Sequence, residues 1–308
     1  MTAASLTDPP AVAATDEARA PGAKRATPYA LLLPGGLWLA LFFLAPIAVL
    51  VSQSLQTGSL EQGYALTWHW QTYADVLDTY HVQLLRSLGY AAVATVLALA
   101  IAYPLAYAIA FKSGRWKNVL LVLVIAPFFT SFLIRTLAWQ TILASDGVLT
   151  HGLRSLHLLS LLRGLHLIDN DQLLGTRLSV VTGLTYNFLP FMTLPLYASL
   201  ERIDGRLHEA AGDLYASAWT GFRKVTVPLS MPGVVAGTLL TFIPAAGDYI
   251  NSQLLGSPRT TMIGQVVAGQ FLRVLDYPTA AALSVVLMGT IVVLVAAYVR
   301  RAGTEELL

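Results

Sequence analysis

The fold class this sequence predicts is an all-α integral membrane protein with six transmembrane helices. Three observations predict it. Of 308 residues, 56% are hydrophobic and only 12% charged, where an ordinary soluble domain carries about 25% charge. Six stretches are long and apolar enough to cross the hydrocarbon as helices, which takes about 20 residues each. Lys and Arg also gather in alternate loops, the bias that sets orientation in a bilayer. The net charge of +2 is small and no face concentrates basic residues, so nucleic acid is not an expected partner. The chain has no Cys, which excludes disulfides and thiolate metal sites.

Taken in order, residues 1–27 are rich in Ala, Pro, Thr and Asp without apolar periodicity, and a disordered cytoplasmic tail is expected there. Arg19, Lys24 and Arg25 precede an apolar run too long for a signal-peptide core. A six-helix domain over 28–308 follows, with spans predicted at 30–51, 87–111, 119–139, 178–200, 233–249 and 280–299. Lys112, Arg115, Lys117, Arg202, Arg206, Arg223, Lys224, Arg300 and Arg301 then fall on one side with the tail. Both termini are therefore expected in the cytoplasm. The outer loop 140–177 is too long for a simple connection. Its leucine-rich part, 151–168, carries Arg154 and Arg163 and suits a helix lying at the outer membrane face. His151, His157 and His166 are scattered along it with no metal-ligand spacing and read as interfacial.

Pro104, Pro127, Pro190, Pro195 and Pro244 fall inside predicted spans. Each removes an N–H and frees a carbonyl, which a membrane tolerates where the freed group faces protein or a watery path. One proline merely bends a helix; five breaks in four spans point to a conduit rather than an anchor. Arg135 and Asp248 place charge at or near membrane depth, where charge is costly. They either neutralise each other, snorkel outward, or serve transport, and the residues alone leave these open.

The loop 201–232 predicts a helix over 205–218 with Asp204 as its N-cap. Leu207, Ala210, Ala211, Leu214 and Ala218 share one face; Arg206, Glu209 and Asp213 share the other. Glu209 and Asp213 repel by a few tenths of a kcal/mol at i,i+4. A basic partner relieves that repulsion, or Arg206 pairs with Glu209 on an exposed helix.

This segment resembles the Glu-Ala-Ala loop of permease subunits in type I ATP-binding-cassette importers, at Glu209, Ala210, Ala211, Phe222, Val225 and Val227-Pro228. The chain departs from that pattern at Tyr215, where the family carries Gly; a Gly stands instead at Gly212. The stretches 127–139, 186–201, 242–250, 254–256, 263–265 and 276–278 are similar to permeases of spermidine/putrescine importers. The likeness runs from about Tyr29 to the end.

The resemblance implies the type I importer permease fold, with the 201–232 loop forming a cytoplasmic coupling helix seated in a cleft of an ATPase subunit. Glu209, Ala210, Ala211, Gly212, Asp213, Tyr215 and Phe222 would carry that coupling. It implies a machine in the bacterial inner membrane, among its lipids: a second homologous permease, two ATPase copies, and a periplasmic or lipid-anchored substrate-binding protein. This chain is then no enzyme and binds no cofactor of its own. It lacks a G-x-x-x-x-G-K-[ST] loop, so ATP and Mg belong to the ATPase subunit. For a polyamine, Asp248 suits an ammonium, and Tyr249, Tyr186 and Trp139 offer π-faces. Asn187 and Arg135 count with them as lining the path. The same set serves another amine, an opine or an amino-acid-like solute. The reading from a different class is a secondary transporter or channel; the coupling-loop match and the lack of inverted repeats argue against it.

Overall fold

A computed structural model describes residues 27–156, 158–164, 168 and 172–302. The expected tail lies outside them apart from Thr27, and so do His157 and His166. The chain divides into two units between Val49 and Leu50. In the first, α1 (Thr27–Leu39) runs through a π-helical turn at Ala40–Leu44 into α2 (Ala45–Ser54), which crosses the division. Pro46 has no N–H to give the carbonyl four residues back, and the widened turn before it accommodates the ring.

The second unit opens with an antiparallel hairpin, β1 (Gln56–Ser59) and β2 (Gly63–Leu66), with Gln56 opposite Leu66. Helix α3 (Gln71–Phe111) then begins at Gln71, not at 87 as expected. Residues 71–86 are too polar to read as a span, yet Tyr73, Val76, Tyr80 and Leu84 pack with Ile263 and Leu283. An amphipathic helix therefore extends the apolar one.

The third predicted span, 119–139, is not straight. Helix α4 (Lys117–Ile125) passes through a 3-10 turn at Ala126–Phe129 and breaks before α5 (Phe132–Leu143). The segments on either side of the break meet at 95°. Pro127 lacks a donor, and Thr130 and Ser131 turn extended at ψ 140 and 137. The outer loop forms two short helices, α6 (Val148–Ser155) and α7 (Leu158–Gly164), instead of one flat helix. Leu143, Leu159, Ile168 and Leu173 make a small core beneath them against Trp139.

Helix α8 (Arg177–Glu201) starts at a capping box between Thr176 and Ser179. It runs unbroken through Pro190 and Pro195, as α3 does through Pro104. After it come α9 (Arg206–Asp213), α10 (Ala218–Gly221), a π turn at Phe222–Thr226 and α11 (Val227–Ala246), which continues past Pro244. Four of the five prolines thus sit inside continuous helices, and only Pro127 adjoins a break. The stretch 250–279, expected as a loop, instead folds into α12 (Ile250–Leu255) and α13 (Ile263–Gly269), burying Leu255, Met262 and Ile263. Helix α14 (Tyr277–Ala302) closes the described chain.

Among the described residues four helices are long and apolar enough to cross a membrane, or five if the bent α4–α5 pair is one span. Helix α8 is long enough, at 25 residues, but buries Ser179, Thr185, Asn187 and Thr193. Those polar groups face protein, not lipid, and lower its apolarity. It lies along α3 and α11. A stripe of Ala91, Ala94, Ala98, Ala102 and Ala106 on α3 is fully buried there. Small side chains let helix backbones approach closely enough for dispersion to hold them in a bilayer. Gly233 of α11 serves the same end: a Cβ there would stand 2.7 Å from the carbonyl oxygen of Pro195.

Candidate functional site

Where α11 ends, the backbone turns through Gly247 and Asp248 into the short α12. Asp248 is 8% exposed, and its Oδ1 accepts from the N–H of Asn251 at 2.8 Å, capping α12. Asn251 is fully buried, and its Oδ1 accepts from Asn187 Nδ2 of α8 at 3.0 Å. The same Nδ2 donates to Thr136 Oγ1 of α5 at 3.2 Å. One polar chain therefore ties α5, α8 and α12 to the end of α11. Gly183 permits this contact, because a Cβ there would meet Asn251 Oδ1 at 2.7 Å and Leu255 Cδ1 at 2.3 Å.

Arg135 adjoins Thr136 on α5 and is 8% exposed. Its guanidinium lies 5.5 Å from the centre of the Phe132 ring, with Nε and Nη1 unpartnered. Arg135 and Asp248 do not pair, and among the described residues neither has an ion-pair partner. Mutual neutralisation is thus not how this conformation accommodates them. Trp139 and Tyr186 meet edge to face at 5.3 Å. Asn187, predicted with Tyr186, is buried in the polar chain. Tyr249 departs from the group: it is 42% exposed and lines an open apolar groove of about 940 Å³ with Ile243, Phe271, Leu287 and Met288.

Thr136, Asn251, Ser252 and Gln265 were not singled out by sequence. Ser252 Oγ donates to Gln265 Oε1 at 2.7 Å and accepts from the N–H of Met262 at 3.0 Å, pinning α12 to α13. The Asp248-x-x-Asn251 spacing, a helix N-cap pattern, was the available signal.

In the 201–232 loop, α9 stops at Asp213, short of the expected 218. Asp204 Oδ1 accepts from the N–H of Arg206 at 3.0 Å at its start. At its end, the N–H of Ala216 reaches the carbonyl of Ala211 at 3.0 Å, and that of Tyr215 reaches Gly212 at 2.9 Å. This is a Schellman closure with Tyr215 in the left-handed position, φ 57. A residue with a Cβ costs about 1–2 kcal/mol in that conformation. Glu209, Ala210, Gly212 and Asp213 are exposed and Ala211 is half-buried. Glu209 forms no ion pair with Arg206 or any other described residue. Phe222, half-buried, wedges edge-on between Tyr103 and Tyr107 of α3, 5.8 Å from each. His208 Nε2 hydrogen-bonds Thr226 Oγ1 at 3.0 Å. These contacts join α9 and the turn after it to the C-terminal end of α3 and the start of α11.

Residues 94–302 match the family described as "Binding-protein-dependent transport system inner membrane component". The chain is 33% identical over 264 residues to the spermidine/putrescine transport system permease protein PotB of Haemophilus influenzae, covering 85% of this chain and 90% of that one. It is 36% identical over 252 residues to PotB of Escherichia coli K12, covering 81% and 88%. Among solved structures, it superposes at a TM-score of 0.60 and 19% identity on a bacterial ABC transporter involved in import of the acidic polysaccharide alginate, over 89% of this chain and 94% of that one. A structure of the alginate transporter with its pentasaccharide-bound periplasmic protein matches at 0.60 and 18% identity, over 88% and 91%.

Proposed function

The chain belongs to the family of inner membrane components of binding-protein-dependent transport systems, and from that membership we propose that it forms half of the translocation path of a polyamine importer. It is a transmembrane transport subunit of the ATP-binding-cassette type, not an enzyme. In this reading six spans cross the membrane with both ends in the cytoplasm. A second homologous permease completes the path. Two ATPase copies hydrolyse MgATP and move α9, and a binding protein delivers the solute outside. Closure of the ATPase pair pushes α9, and Phe222 carries the displacement into α3.

The observation that carries the solute class is the Asp248 carboxylate, buried with no ion-pair partner among the described residues. A buried carboxylate without a counter-charge is unfavourable, and a solute ammonium would satisfy it by a charge-assisted hydrogen bond. The likeness to PotB over most of both chains supports the same class. Trp139 and Tyr186 supply ring faces, and Asn187 holds the amide end of the polar chain. Arg135, a like charge to the solute, bounds the site instead of binding.

The test is Asp248→Asn. The amide oxygen still accepts from Asn251, so the complex should assemble in normal yield. Uptake of radiolabelled spermidine or putrescine in reconstituted vesicles should fall at least about tenfold, the loss of a charge-assisted contact worth about 1.5–3 kcal/mol. Unchanged uptake in a stable complex would remove Asp248 from the path.

A further inference from the structure

The groove that Tyr249 lines has a second, polar end. Its apolar length, about 940 Å³, follows one face of α14 from Ser284 through Leu287, Ile291 and Val295 to Val299. At 1.5 Å per residue that face runs about 22 Å, more than the ~15 Å hydrocarbon depth of one leaflet. Tyr249, Ala268 and Leu272 also line an adjoining cavity of about 220 Å³, walled by Gln253, Thr261, Gln265 and Arg273. The hydrogen bonds at this end leave donors rather than acceptors. Ser252 Oγ accepts from the N–H of Met262 and donates to Gln265 Oε1, so the Gln265 acceptor is taken and its NH2 group remains. Arg273 is exposed and forms no ion pair among the described residues. Arg86 adds a second guanidinium, donating to the carbonyl of Thr261 at 3.0 Å. Among the described residues no Asp or Glu lines either cavity.

We propose that this groove binds one phospholipid with an anionic headgroup, an acyl chain lying along α14 and the phosphate at Arg273 and Gln265. An apolar trough that ends in hydrogen-bond donors is the shape of an amphiphile. A phosphate accepts from guanidinium and amide N–H groups and supplies the negative charge that Arg273 lacks. Tyr249, shared by both cavities, places an amphipathic ring at the junction of chain and headgroup, as tyrosines do at membrane interfaces. The polar end is unsuited to a polyamine, which would bring donors and positive charge to a wall of the same kind. A helix of a second permease would cover the apolar face but leave Arg273 and the Gln265 amide without acceptors. The site is therefore distinct from the path at Asp248 and holds a component of the bilayer between α11, α13 and α14.

The experiment delipidates the assembled transporter in detergent and titrates it with phosphatidylglycerol or phosphatidylcholine, counting bound lipid by native mass spectrometry. The unaltered complex should take up phosphatidylglycerol at least about fivefold more tightly than phosphatidylcholine. Arg273→Gln should abolish that preference, and Arg273→Lys should keep most of it. Equal binding of the two lipids by the unaltered complex, or an undiminished preference in Arg273→Gln, would overturn the site. Because the chain has no Cys, Met288→Cys takes a single fluorophore inside the groove. Brominated phosphatidylglycerol should quench it in nanodiscs, and glycerol phosphate without acyl chains should not relieve the quenching. No quenching would mean that protein covers the groove, and relief by glycerol phosphate would mean a free anion site; either result overturns the lipid as occupant.

Discussion

Asn187 holds three elements with one amide. Its Nδ2 donates to Thr136 on α5 and to Asn251 on α12. Asn187→Ala strands both acceptors in a buried setting, where each unsatisfied group costs about 1–3 kcal/mol. Thermal unfolding of the detergent-solubilised subunit should show that loss. Asn187→Asp keeps the shape but puts an acceptor where Thr136 and Asn251 need a donor, and should destabilise at least as much. Equal stability of both variants with the unaltered chain would refute the network. At this scale the sequence singled out residues but not their partners. Asp248 and Arg135 stood out as costly charges. That Asp248 caps α12, while Arg135 lies over Phe132, follows from how α11 and α5 end and begin.

At the scale of elements, contact between helices is set by what they omit. The α8–α11 seam needs Gly233, since a Cβ would press on the backbone of Pro195, which cannot swing aside. Gly233→Ala should therefore destabilise by about 1–3 kcal/mol through overpacking. Gly89 of α3 has nothing within 4 Å of its missing Cβ. Gly89→Ala should be neutral or stabilise by up to about 1 kcal/mol, the helix-propensity gain. Melting temperatures of the two variants side by side check the contrast; equal shifts would contradict it. The prolines show the limit of local reading. All five satisfy the same steric rule, yet Pro104, Pro190, Pro195 and Pro244 remain inside α3, α8 and α11. Those helices pack on one another and keep their course despite a missing bond. Pro127 is followed by two extended residues, and there the chain turns.

For the molecule as a whole, the fold is shared with an importer of an acidic polysaccharide, so the architecture does not choose the sign of the solute's charge. In the proposed reading that choice belongs to a few side chains, Asp248 first. Orientation is testable directly because the chain lacks Cys. Lys112, between α3 and α4, and Glu61, between β1 and β2, are both exposed. Lys112→Cys should resist an impermeant thiol reagent in intact cells and react after permeabilisation, whereas Glu61→Cys should react in both. The reverse pattern would invert the proposed topology.

Composition, apolar runs and the 201–232 motif by themselves determined the membrane class, the approximate helix positions and the family. These depend on local chemistry: a run of apolar residues must leave water wherever it lies in the chain, and the motif is read from neighbouring residues alone. Only the tertiary structure decided that residues 71–86 extend α3, that the third span bends by 95°, and that α12 and α13 fill what read as a loop. It also decided that Arg135 and Asp248 stand apart. Each of these depends on contacts between residues far apart in sequence, where a polar stretch becomes helical because a distant helix covers its apolar side. Tyr215 lies between the two: its departure from Gly is visible in the sequence, but its strain exists only once the hydrogen bonds from Ala216 and Tyr215 back to Ala211 and Gly212 close the turn.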